Sequence, residues 1–167
     1  MDQLIKSFAD LARAYCKLLE NQEPIEASIF ARECLILLLR LYEGAMLLPD
    51  IEASEEAPPR IDHETWKVMF DAIAARMPGR DFYWTVFEPV QLDPPSPVVG
   101  SLADDIADIW GDLKPGLVLI DTGGPNCRSA AVWDWRFGFN SHWGRHAVEA
   151  ITVLHALCVD DSSRIDG

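Results

Sequence analysis

Residues Trp133 to His146 read Trp-Asp-Trp-Arg-Phe-Gly-Phe-Asn-Ser-His-Trp-Gly-Arg-His, and their spacing is helical. A helix advances about 100° per residue, so Asp134, Ser141, Arg145, Glu149 and Thr152 fall in one stripe, the expected solvent face. If the helix runs unbroken to Cys158, Trp135, Phe139, His142, His146, Val153 and Leu157 form a second stripe, and Arg136, Asn140, Trp143, Ala147 and Leu154 a third. Both stripes point away from water. Arg136, Asn140, His142 and His146 are therefore expected to turn polar groups toward protein, where removing one partner of a buried charge pair costs about 3–5 kcal/mol. The rest of the chain must supply their partners.

The best supply is an acidic arc. Leu102, Ile106, Ile109, Trp110, Leu113 and Leu117 make the apolar stripe of a helix opened by Ser101, with Asp104 three residues on as in a capping box. Asp104, Asp105, Asp108 and Asp112 lie on its flank within about 100° of one another. Like charges so close persist either because water screens them or because cations sit opposite. Pro115, which lacks an amide donor and crowds the preceding turn, predicts a kink near Gly111 to Gly116.

The remaining segments are mostly helical. Leu4, Phe8, Leu11, Tyr15 and Leu18 recur at three-and-four spacing, and Asn21 to Pro24 turns the chain. From Ile25 to Leu48 the charged residues occupy a narrow sector, which predicts a core helix contacted on several sides. Residues 49–61, with Glu52, Glu55, Glu56 and Pro58-Pro59, lack periodicity and predict a mobile acidic loop. Asp62 then caps a helix carrying Trp66, Met69, Phe70, Ile73 and Met77 on one face, stopped by Pro78-Gly79.

Phe82 to Phe87 is aromatic and β-branched enough for a strand, but no second segment of like quality is evident to pair with it. A short helix or an extended aromatic plug is expected there. Residues 90–100, with Pro94, Pro95 and Pro97, predict a stiff extended connector. The turn Thr122-Gly-Gly-Pro-Asn126 leads into the final helix, which Gly138 and Gly144 are able to break. The expectation is an all-α fold, a single-domain bundle of five or six helices over residues 1–167.

Charge narrows the partners. There are 27 acidic and 14 basic residues and a net charge of −13, a field that repels nucleic acid and anionic membrane surfaces. The four cysteines, at 16, 34, 127 and 158, show no zinc-finger spacing and read as free thiols of a reducing compartment. With no apolar run long enough to span a bilayer and no signal-peptide pattern at the start, a soluble cytoplasmic protein is expected. Phosphate-cradling glycine motifs and nucleophile elbows are absent.

Three readings of the acidic arc and the polar stripe follow. The plain one is a solvated acidic face near a helix N-terminus. The second joins Asp104 or Asp108 to Arg136, and Asn140 or a histidine to another carboxylate, in a buried polar network. The third sets His142 and His146, one turn apart, against Asp104 and Asp108 around zinc, iron or manganese.

Several stretches resemble one bacterial family. They are Ala14-Tyr15-Cys16, Tyr83-Trp84 with Val86-Phe87 and Pro89, Gly100-Ser101-Leu102 with Asp104-Asp105-Ile106-Ala107-Asp108-Ile109, and Trp133 to Ala147. Together they resemble the family called domain of unknown function 5063. The resemblance implies a helical, cytoplasmic bacterial protein of about this length, with no activity, cofactor or catalytic residue assigned.

The leading functional expectation is thus a non-catalytic module binding a protein or small-molecule partner. Its candidate polar network is Asp104, Asp105, Asp108, Arg136, Asn140, His142, Trp143, Arg145 and His146. The alternative is a metal-dependent hydrolase or oxidase whose ion sits on Asp104, Asp108, His142 and His146. A third reading is a homodimer joined through the tryptophan-rich surface.

Overall fold

Helices form where the apolar periodicity demands them, and in this computed structural model they stack around one continuous core. The structure describes residues 2–53, 56–86, 90, 96–124 and 126–165, with side chains as far as Asp160. Among these residues the order is α1 (Asp2–Glu20), α2 (Ala27–Met46), α3 (His63–Arg76), β1 (Phe82–Thr85), β2 (Val98–Ser101), α4 (Leu102–Thr122), α5 (Cys127–Gly138) and α6 (Gly144–Ile165), with a π turn at Phe139–Trp143 joining the last two. The helical bundle expected from the sequence is what forms.

Helix α4 is the axis. It packs against α1, α3, α5 and α6, and residues such as Ile106, Ile109 and Leu113 are fully buried. Its start is fixed twice, because the Asp104 amide donates to Ser101 Oγ at 3.2 Å and Asp81 accepts from both Ser101 Oγ and the Ala103 amide. The N-cap of α3 is also as expected, with the Thr65 amide donating to Asp62 Oδ1 at 2.7 Å. Helix α4 continues through Pro115 to Thr122.

Four expectations are corrected. The segment after Asp81 is a strand, β1, paired antiparallel with β2 so that Tyr83 faces Gly100 and Trp84 faces Val99. The missing partner was hidden at the end of the proline-rich connector, in four residues too few to show a pattern. Nor is the segment a plug, since Phe82 and Trp84 are 77% and 73% exposed. Helix α2 buries Phe30, Cys34, Leu38 and Leu41 but leaves Ile36, Leu39, Met46 and Leu47 exposed, so it is less enclosed than its composition predicts. The final helix is not continuous, because the π turn inserts between α5 and α6. Glu55 of the acidic loop, Phe87 and Pro89, Pro94 and Pro95 of the connector, and Pro125 lie outside the described residues.

No helix among the described residues is long and apolar enough to cross a membrane.

Candidate metal centre

The π turn is a packing solution with a chemical result. A Cβ at Gly144 would run into the Phe139 carbonyl and ring, so only glycine fits where the widened turn closes. The indole of Trp143 donates to the Trp135 carbonyl at 3.0 Å, satisfying a group the bulge draws out of the helical ladder. Trp143 and Trp135 are both fully buried. With these two rings anchored, His142 and His146 face the acidic flank of α4.

Each histidine is held by its own carboxylate. His146 Nδ1 lies 2.7 Å from Asp105 Oδ1, and His142 Nδ1 lies 2.8 Å from Asp112 Oδ2. An ionised carboxylate only accepts, so in each neutral ring Nδ1 carries the proton and Nε2 keeps its lone pair. Both Nε2 atoms then approach one oxygen, Asp108 Oδ2, at 3.8 Å from His142 and 3.5 Å from His146. The other Asp108 oxygen accepts from the Trp66 indole at 2.8 Å, which fixes the carboxylate's rotation.

One donor atom from each of Asp108, His142 and His146 lies within 4.8 Å of the other two. Bonds of about 2.1 Å to a tetrahedral ion put donors about 3.4 Å apart, so small adjustments bring this trio to an ion. The pattern of carboxylate, histidine and vacant nitrogen, repeated twice, is how metal-binding histidines are oriented. Three protein ligands leave further coordination positions open, as in catalytic zinc sites and two-histidine, one-carboxylate iron sites.

A second layer extends outward from Asp105, the one charged residue that is buried among those described, at 3% exposure. Its Oδ2 accepts from the Tyr83 hydroxyl at 2.5 Å, Tyr83 also lies 3.1 Å from Glu149 Oε2, and Glu149 is paired with Arg145 at 3.0 Å. Burial and the adjacent Asp105 carboxylate hold the phenol well above its ordinary range, so it remains a donor. For His146, burial alone lowers the pKa, but the hydrogen bond to Asp105 and the charges of Asp105, Asp108 and Asp104 outweigh it and raise the value.

The centre opens on a cavity of about 430 Å³ walled by Pro58 to Ile61 on one side and by Asp108, Asp112, Asp134 and His142 on the other. The segment expected as a mobile acidic loop thus supplies a wall. Burial, with Asp112 adding to it, pushes the Asp134 carboxyl up to about 6.

Not every expected residue joins. Arg136 donates to the Leu48 carbonyl at 2.6 Å and lies 3.7 Å from Asp50, so it serves the end of α2 and not the acidic arc. Asn140 is exposed, because the π turn swings it off the stripe a continuous helix would give. Asp104 is one turn nearer the helix start than Asp108 and falls outside the trio. Trp143 is core and support, and Arg145 stays on the solvent side, reaching the network only through Glu149. His142 is half exposed, its side chain showing 50% of its surface.

Tyr83, Trp66, Glu149 and Asp134 were missed. Asp112 was visible on the arc but not as the orienting partner of His142, although its spacing of four from Asp108 carried that signal.

The chain belongs to the family described as domain of unknown function (DUF5063), whose profile matches residues 1–160. Its fold is similar to the crystal structure of protein BF1032 from Bacteroides fragilis, at TM-score 0.80 and 24% identity, covering 92% of this chain and 91% of that chain. That likeness shows the fold alone. No curated protein matches the chain.

Proposed function

We propose that this chain is a divalent-metal-binding helical domain, with Asp108, His142 and His146 as ligands and its open coordination positions turned to the cavity beneath Pro58 to Ile61. One observation carries the reading: two imidazole Nε2 atoms converge on one carboxylate oxygen while each of the three side chains is held from behind by a separate partner. Zinc, iron and manganese suit such a donor set. A centre with three protein ligands is of the type that activates bound water, which points to a metal-dependent hydrolase or oxidase. A structural zinc would be closed by a fourth protein ligand.

The test is native mass spectrometry and calorimetric titration of metal-free protein with Zn²⁺, Mn²⁺ and anaerobic Fe²⁺. One equivalent is expected to bind to the wild type and none at the same concentrations to His142→Ala or His146→Ala. A bare chain with all three ions ends the reading.

A second reading is a metal-free module that binds a protein or small molecule. It is favoured by the complete pairing of the seam, since no buried side-chain nitrogen or oxygen among the described residues lacks a hydrogen-bond partner. In either case the single core supports treating residues 1–167 as one domain. Cysteines with no disulfide among them support a cytoplasmic location, and the net charge argues against nucleic acid. A homodimer through the tryptophan-rich segment would rest on Trp133 and Phe137, which stack with ring centroids 5.1 Å apart, because Trp135 and Trp143 are fully buried.

A further inference from the structure

We propose that Tyr83 is a positioning residue for His146, acting through Asp105, and that the β1–β2 pair serves to hold its hydroxyl in place. The use of this device rests on the metal reading above, but its geometry does not.

Strand β1 contributes little to the core. Phe82 and Trp84 project outward, and Tyr83 is the side chain that crosses to the polar seam. It does so over Gly100, its cross-strand partner. A Cβ at position 100 would stand 2.6 Å from the ring Cζ and 2.9 Å from the hydroxyl oxygen, so the ring passes where any side chain on β2 would block it. The strand pair is itself pinned to the start of α4, because the Leu102 amide donates to the Asp81 carbonyl at 2.8 Å and the Asp81 carboxylate accepts from the Ala103 amide. The phenol therefore approaches Asp105 from a backbone fixed at both strands.

A single O–H faces two carboxylates, and the shorter contact, 2.5 Å to Asp105 against 3.1 Å to Glu149, takes the proton. This ties down Asp105 Oδ2 and leaves Oδ1 aimed at His146 Nδ1. The ring is then kept as the Nδ1–H tautomer, with the Nε2 lone pair toward the proposed ligand position. The competing tautomer has a ready acceptor, since an Nε2–H would point at Asp108 Oδ2, 3.5 Å away, and would close the site. Tyr83 decides between these two arrangements without touching the ion. Trp66 performs the same office for Asp108, but from α3.

The experiment compares wild type with Tyr83→Phe, which removes the hydroxyl and keeps the ring, and with Gly100→Ala, which displaces the ring and keeps the hydroxyl. Long-range ¹H–¹⁵N spectra of the metal-free proteins, at a pH where His146 is neutral, report its tautomer. The wild type is expected to show Nδ1–H, and both folded variants a large fraction of Nε2–H. Titration with Co²⁺ and Zn²⁺ is expected to show a roughly 10- to 100-fold loss of affinity in the variants, the range typical of lost outer partners, with altered Co²⁺ visible bands. An unchanged tautomer in Tyr83→Phe overturns the proposal. Should Tyr83→Phe not fold, an unchanged tautomer in Gly100→Ala overturns it equally. A wild type that binds no metal while the tautomer still shifts on mutation overturns the metal reading and leaves the positioning role standing.

Discussion

The two halves of α4 meet the same neighbouring chain, the α5–π–α6 segment, in opposite ways. The C-terminal half closes on it dry: the Trp135 indole donates to the Leu113 carbonyl at 3.0 Å, and a Cβ at Gly116 would run into that indole. The N-terminal half presents Asp105, Asp108 and Asp112 to two imidazoles. An indole supplies a donor in each half, to a neutral carbonyl from Trp135 and to a carboxylate from Trp66. A neutral hydrogen bond under close packing stabilises by area and shape, whereas charges taken from water recover their desolvation only through good geometry and several donors. One half therefore secures the fold, and the other carries groups whose retention asks for a different reason.

Trp135→Ala should have the largest effect on stability, about 3–5 kcal/mol, as expected for truncating a buried tryptophan, measured as the shift in urea-unfolding free energy. A loss under 1 kcal/mol would place the stability elsewhere and dissolve the contrast. Gly116→Ala should follow at about 1–3 kcal/mol, because the added methyl displaces a fully packed indole. Its diagnostic is a lower thermal midpoint with unchanged metal stoichiometry.

Asp134 stands at the border, on α5 but facing the charged cavity, and its effect depends on pH. Its folded pKa of about 6 lies above the ordinary value of 3.8, so the folded state holds the proton more tightly. The resulting stability is full below about pH 4, falls as pH rises through 6, and is absent above. Asp134→Asn should stabilise the protein by about 1 kcal/mol at pH 7.5, after allowance for partial solvent screening, and by nearly nothing at pH 4. Paired urea titrations at the two values check this, and equal shifts at both would refute it.

The smallest stability change should come from His142→Ala. With its side chain half exposed, its removal should cost no more than about 0.5 kcal/mol while abolishing metal binding in the titration described above. That outcome, the reverse of Gly116→Ala, would sharpen the division between the two halves.

Much of this was legible in the chain. Asp62 and Ser101 announced their helices because a cap is a local event, settled within three residues. The pairing of His142 and His146 survived for the same reason, being one turn apart. Arg136 and Asn140 were misplaced because an angular argument accumulates error across any change of helical pitch, and the π turn lies in their midst. Tyr83 was out of reach because its role depends on a strand partner in four residues, Val98 to Ser101, and on a glycine opposite it. Only the register makes that glycine meaningful.

The π turn also makes the length of this stretch a functional quantity. Because five residues occupy what four would fill in a regular helix, losing a single residue between Phe139 and Trp143 would restore ordinary pitch and leave a well-formed helix of good propensity. Everything beyond the deletion would then be out of phase by roughly 100°, carrying His146 off the α4 flank and turning Ala147, Ala150 and Leu154 out of the core. Substitutions here degrade the protein by degrees, but a one-residue deletion acts like a frameshift in three dimensions.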